Sequence, residues 1–181
     1  MENKVKELRC VVSFHNYTQL KKKKIQEIIG PVPEEYLNLA MDATLKYPAL
    51  DMELICAVIH HESAKTWDPK IISPMGAVGL MQVMPKTGRL ISKRRNISTY
   101  SKKMLYNPKF NVDFGCWLLN ELIPVFGVKA GLAAYNGPYD IAWEYKKQLK
   151  RNPKHAHKYL LLETRKYIPI VLEIYKKLKT I

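Results

Sequence analysis

Cysteine is scarce in this 181-residue chain, and the three present, Cys10, Cys56 and Cys116, stand far apart with no Cys-x-x-Cys pair. That spacing suggests neither a thiolate zinc site nor a disulfide framework. One disulfide stays open, and Cys56 and Cys116, flanked by apolar residues, are expected in the core. Long apolar runs are also missing: the longest, Leu54 to Ile59, is six residues, where a membrane-spanning helix needs about 20. No transmembrane helix is expected. Acidic residues are few, 16 Asp plus Glu against 30 Lys plus Arg, which gives a formal charge of +14. With 47% hydrophobic residues the chain is no disordered polycation. A folded body carries the positive field, and such a field attracts nucleic acid, anionic membrane and acidic wall polymer alike.

The length suits one well-buried domain and is short for two. At the amino end, Lys4, Lys6 and Arg9 precede only Cys10-Val11-Val12-Ser13-Phe14, too short for the roughly 7–15-residue apolar core of a secretory signal. Either a leader is missing or the chain leaves the cell by another route. The run Lys21-Lys22-Lys23-Lys24, then Ile25, Ile28 and Ile29 before Gly30-Pro31, reads as a short basic helix stopped by a breaker. Residues 1–31 are therefore expected to be a basic appendage with a solvated lysine face, and residues 32–181 the domain proper.

From Pro33 the pattern is helical. Tyr36, Leu37, Ala40, Met41, Thr44 and Leu45 recur at three- and four-residue steps, with Pro33, Glu34 and Glu35 suited to a helix amino terminus. Asp51 is placed to cap a second helix, whose Met52, Ile55, Cys56 and Ile59 form a stripe that also contains Glu62. Glycine is sparse, and of the eight residues all except Gly30 lie between Gly76 and Gly137; a site is expected in that middle stretch. Ser73 to Gly79 reads as a loop entering a short helix, and a basic connector runs through Lys93, Arg94 and Arg95. Further helices are expected over Asn111 to Phe126, near Lys129 to Tyr135, and around Ile168 to Leu178. Period-two strands are lacking, so the class is mainly α.

Glu62 is the residue that calls for chemistry. A carboxylate on an apolar stripe resists ionisation, and burial keeps it protonated near neutral pH, as a general acid requires. Alternatively, the helix ends in solvent there or a basic residue pairs with it. Adjacent His60 and His61 point about 100° apart on a helix and form no His-x-x-x-His pair, so a metal site is not expected. Gln82 and Met84 follow the glycine-bearing loop, where an amide and an adaptable thioether suit a polar, ring-shaped ligand. Asn136-Gly137 is equally a plain turn signal, and Tyr135 either belongs to the core or directs its phenol at a reacting group.

Five segments taken together carry a resemblance. Glu62-Ser63, Ser73 to Pro85, Asn107-Pro108 with Asn111 and Gly115, Ala133-Ala134-Tyr135-Asn136, and Glu163 to Pro169 closely resemble, in order, the soluble lytic transglycosylase family. The resemblance runs from about Val32 to Leu178. It implies a single lysozyme-like helical domain with an active-site cleft, cleaving the β-1,4 bond between N-acetylmuramic acid and N-acetylglucosamine in peptidoglycan without a metal or other cofactor. Glu62 matches the single catalytic acid/base. Ser63 matches the position supporting it; Ser73, Gln82 and Met84 match cleft-lining groups; Tyr135 and Asn136 match the motif beside the scissile bond; Glu163 and Tyr167 match the last cleft segment. The implied partner is the peptidoglycan strand, in the periplasm or cell wall, with a secretion, conjugation or phage machine as a further partner and nucleic acid not expected.

Two departures border the cleft. The family usually has Ala between the Asn and Gly of its tyrosine motif, whereas Asn136-Gly137-Pro138 is one residue shorter, and Lys65-Thr66-Trp67 lengthens the loop before Asp68-Pro69. Trp67 either covers a sugar ring or anchors the loop. Asp68 is the nearest possible second carboxylate; if it positioned water, the activity would be hydrolytic, of lysozyme type. A non-catalytic peptidoglycan-binding module is the alternative from a different class.

Overall fold

The computed structural model describes residue 16 and residues 18–180; Cys10 and the leader question lie outside them. The described chain is helical, with α1 over 18–29, α2 over Glu34–Lys46, α3 over Met52–Glu62, α4 over Pro85–Arg94, α5 over Pro108–Phe126, α6 over Val128–Asn136, α7 over Tyr139–Arg151 and α8 over Leu162–Lys179. Short 3-10 turns at Lys102–Tyr106 and Ala156–Tyr159 precede α5 and α8. Two isolated antiparallel bridges, Ile72 with Val78 and Val78 with Val83, tie the loop between α3 and α4.

The centre of the fold is α3. Every residue from Met52 to His60 is buried, so the helix is covered on all sides rather than along one stripe. Its start is fixed as expected: Asp51 Oδ1 accepts from the Leu54 amide at 2.8 Å. The other carboxylate oxygen accepts from Tyr175 Oη at 2.7 Å and pairs with Lys179 at 3.2 Å, which brings α8 against α3. The α5 helix packs on α6 and α6 on α7. Cys56 and Cys116 are free thiols with no exposed surface, as their apolar flanks suggested.

Three local expectations are revised. In α2 the buried face is Tyr36, Leu37, Ala40 and Ala43, while Leu45 is 76% exposed. The basic connector is the carboxyl-terminal part of α4, where Lys93 and Arg94 occupy the last turn, a favourable place for cations beside the negative end of the helix dipole. The lysine run is not a uniformly solvated face: Lys21 Nζ pairs with the buried Glu53 at 2.8 Å, Lys22 is buried and reaches Asn38 and Glu34, and Ile25 has no exposed surface and joins the main core. Residues 18–29 are thus packed onto the domain. Gly30, at φ 87°, turns the chain out of α1, a left-handed conformation that glycine adopts without strain.

Candidate active site around Glu62

Glu62 is the last residue of α3, and the turn after it is tightly built. Ser63 is fully buried and its Oγ accepts from the Trp67 amide at 3.2 Å. Ala64, Lys65 and Trp67 take positive φ values of 51°, 66° and 56°, rare for residues with side chains. Trp67 is 3% exposed and stacks on Tyr36 with ring centroids 6.5 Å apart; of its two readings, it is the packed anchor that holds this turn. Asp68 is exposed and its Oδ1 accepts from the Lys70 amide at 2.8 Å, a local turn.

Burial pushes the Glu62 carboxyl up to about 7, with the nearby charge of Glu163 acting in the same direction and the phenol of Tyr167 opposing it. The second carboxylate felt at Glu62 is therefore Glu163, exposed in the first turn of α8. Tyr167, one turn later, is buried, and its Oη finds no hydrogen-bond partner of good geometry, although it is near enough to favour the charged form of Glu62. The His61 and Tyr167 rings meet in a T-shaped contact, centroids 5.0 Å apart. Burial lowers the pKa of both His60 and His61, with the Lys65 charge adding to it, so both rings are neutral at pH 7. Among the described residues no group of three or more His, Cys, Asp and Glu side chains is placed to hold a metal ion.

Tyr135, near the end of α6, faces the same carboxyl: burial, then the Glu62 charge, raises its pKa well above the ordinary value. Its hydroxyl proton is already committed, donated to the Met81 carbonyl at 2.7 Å. Met81 in turn is held from α5, where fully buried Asn111 accepts from the Met81 amide at 2.7 Å and donates to the Val78 and Leu105 carbonyls at 2.7 and 2.8 Å. Gly79 must be glycine here: its φ is 79°, and a Cβ would stand 2.5 Å from Asn111 Nδ2. Gly115 gives the same room to Met81, whose Sδ would lie 2.5 Å from an added Cβ. Asn111, Gly115 and Met81 thus form the frame of Tyr135, a role that their place among the motifs did not reveal.

Ser73 Oγ accepts from the Ala77 amide at 3.1 Å. Gln82, at φ 46°, donates its amide protons to Gly79 O at 2.9 Å and Ile71 O at 3.3 Å, which turns that end of the side chain into the loop. Met84 is 38% exposed at the start of α4. Asn136 has a buried Oδ1 with no partner, and Gly137 fits against Thr164 of α8, whose Oγ1 would be 3.0 Å from an added Cβ.

A sequence model of the transglycosylase SLT domain matches residues 40–158. The chain belongs to that family. It is 33% identical over 124 residues to the membrane-bound lytic murein transglycosylase C of Glaesserella parasuis, covering 67% of this chain and 33% of that one. It is 41% identical over 86 residues to the soluble lytic murein transglycosylase of Escherichia coli K12, covering 45% of this chain and 13% of that one. The chain thus spans about a third or less of the length of these relatives. Among solved structures, it resembles the 70 kDa soluble lytic transglycosylase in complex with bulgecin A, with a TM-score of 0.72, 28% identity, and coverage of 86% of this chain and 25% of that one. It also resembles an inactive glutamate-to-glutamine mutant of Slt from Pseudomonas aeruginosa, with a TM-score of 0.66, 25% identity, and coverage of 79% and 24%.

Glu62, Ser63, Ser73, Gln82, Met84, Tyr135 and Asn136 lie inside the matched SLT span, whereas Glu163 and Tyr167 lie beyond residue 158. Packing of α8 on α3 returns those two residues to Glu62, so the candidate site draws on a helix outside the matched segment. No helix among the described residues is long and apolar enough to cross a membrane.

Proposed function

We propose that this chain cleaves peptidoglycan as a lytic transglycosylase, with Glu62 acting first as acid and then as base. The observation that carries the reading is the Glu62 carboxyl itself, raised to about 7 by burial and flanked by Tyr135 and Tyr167, so that protonated and ionised forms are both accessible near neutral pH. The names of the relatives support the substrate class, and the inactive glutamate-to-glutamine mutant of the Pseudomonas aeruginosa protein supports dependence on one glutamate.

In this mechanism protonated Glu62 gives its proton to the glycosidic oxygen as the C1–O bond breaks. The substrate's N-acetyl carbonyl stabilises the oxocarbenium-like centre. Tyr135 Oη, its own proton held by Met81 O, offers lone pairs and is an acceptor for the acetamido N–H, which orients that carbonyl. Ionised Glu62 then takes the proton of the muramic acid 6-hydroxyl as its oxygen bonds to C1. The product is a 1,6-anhydro ring, and no water is consumed. Tethering of the nucleophile supplies the proximity that an activated water would lack, so the second carboxylate that most glycosidases need is dispensable. Ser63 sets the turn behind Glu62, Ser73 and Gln82 shape the loop, and Met84, Asn136 and Glu163 line the cleft.

Such an enzyme works on peptidoglycan in the periplasm or wall. The test is Glu62→Gln: soluble muropeptides disappear while the circular dichroism spectrum and melting cooperativity are retained. Undiminished release by the folded variant would overturn the assignment. Retention on sacculi without soluble product from the wild-type protein would identify a binding module instead.

A further inference from the structure

A groove of about 700 Å³ runs between α4 and the segment leading into the Lys102–Tyr106 turn, starting at Pro85 next to Met84. Its charged lining is cationic throughout: Lys86, Arg89 and Lys93 on α4, and Lys102 opposite, with no Asp or Glu. Among the described residues, none of these cations takes part in an ion pair. Positions 86, 89 and 93 share one helical face, where like charges repel. Only Lys93 sits in the last turn, where the helix dipole offsets a positive charge. A second feature is independent of charge: Ser92 lines the groove, is 2% exposed, and its buried Oγ has no hydrogen-bond partner. Buried hydroxyls are normally satisfied, and this one stands unpaired beside the groove.

We propose that this groove binds the phosphodiester groups of a polyol-phosphate polymer of the cell envelope. An Arg fork with lysine point charges is suited to phosphate oxygens, and the hydroxyls of Ser92, Ser98 and Ser101 suit both phosphate and polyol oxygens. Single-stranded nucleic acid fits less well, because it is held through exposed aromatic rings on which bases stack. Tyr100, the aromatic residue of the groove, stacks on Phe114 with centroids 6.2 Å apart and donates its hydroxyl to Pro85 O at 2.9 Å. Placing the polymer in the envelope rests on the transglycosylase assignment; the affinity for phosphodiesters does not.

The test titrates the full chain, at one fixed ionic strength, with water-soluble poly(glycerol phosphate), polyglutamate and a single-stranded oligonucleotide. Arg89→Glu/Lys93→Glu is compared with Lys150→Glu/Lys154→Glu, an exposed pair that changes net charge equally. The groove variant loses about tenfold or more in affinity for poly(glycerol phosphate), and the control less than about twofold, since a diffuse field responds to total charge while a site responds to position. Equal losses in both variants, absence of binding, or groove-dependent binding of polyglutamate or the oligonucleotide as tight as that of poly(glycerol phosphate) would each overturn the proposal. Muropeptide release is followed in parallel. Loss of polymer binding leaves release from polymer-free peptidoglycan unchanged, and failure of wild-type release with polymer binding intact would overturn the enzyme assignment alone.

Discussion

Glu62→Gln has a consequence for stability that is separate from activity. The fold raises the Glu62 carboxyl from 4.5 to about 7, and each pKa unit corresponds to about 1.4 kcal/mol. Ionised Glu62 therefore weakens the native state by up to about 3 kcal/mol relative to the protonated form. The sign follows from where each state ionises. Below pH about 4 the carboxyl is protonated in both states, and nothing is lost. Between about 4.5 and 7 the unfolded chain has released the proton while the native state retains it, so stability falls as pH rises. Above about 7 both states are ionised, and the penalty is constant. Glutamine carries no charge, so its stability relative to wild type rises across that window by up to about 3 kcal/mol, an upper bound because Glu62 is not wholly excluded from water. Guanidinium unfolding of both proteins in a pH series measures the difference directly, with the other titrating groups common to both. Curves that run parallel from acid to mildly alkaline pH would refute the reasoning, and with it the claim that α3 delivers Glu62 into a desolvated site.

Other outcomes follow from the same geometry. Because Glu62 must be protonated to act as acid, muropeptide release falls as pH rises through about 7; Tyr167→Phe moves that alkaline limb upward and Glu163→Gln moves it downward, and shifts of the same sign would contradict the arrangement. Asn111→Leu leaves the Met81 amide and the Leu105 carbonyl without these partners, at about 1–3 kcal/mol each, while Val78 O keeps the Val83 amide, so unfolding free energy drops by at least about 2 kcal/mol. Gly79→Ala adds left-handed strain and a clash with Asn111, and lowers stability by about 2 kcal/mol or more; an unchanged denaturation midpoint would show that this loop is looser than described. Tyr135→Phe frees the Met81 carbonyl and reduces release more than it reduces binding to sacculi, measured by turnover and sedimentation.

What could be read from the sequence was what depends on neighbours along the chain. Asp51 as a cap, the buried stripe of Met52, Ile55, Cys56 and Ile59, and the glycine-bearing loop before α4 all rest on local spacing, and Glu62 stood out because a carboxylate shared that stripe. The missing parts depend on distant partners. Ile25 is core only because α1 folds back, and the lysines beside it looked solvated until Glu53 and Asn38 came within reach. Leu45 has the spacing of a core residue but no element to cover it. Asn111 stood in a motif, yet its grip on Met81 lies 30 positions back in the chain, which no periodicity can reveal. Likewise α4 was legible as basic but not as helical, since Lys and Arg on its exposed face hide its buried positions, Gly88, Ile91 and Ser92.

The central claim is non-hydrolytic cleavage by one glutamate, and the mass of the product decides it. Purified peptidoglycan is digested with the wild-type protein and the soluble muropeptides are weighed by mass spectrometry. Non-hydrolytic cleavage gives fragments lighter by one water than those a muramidase releases, with none from Glu62→Gln. Fully hydrated fragments from the wild-type protein would contradict it and identify hydrolysis, with Glu163 as the first carboxylate to examine.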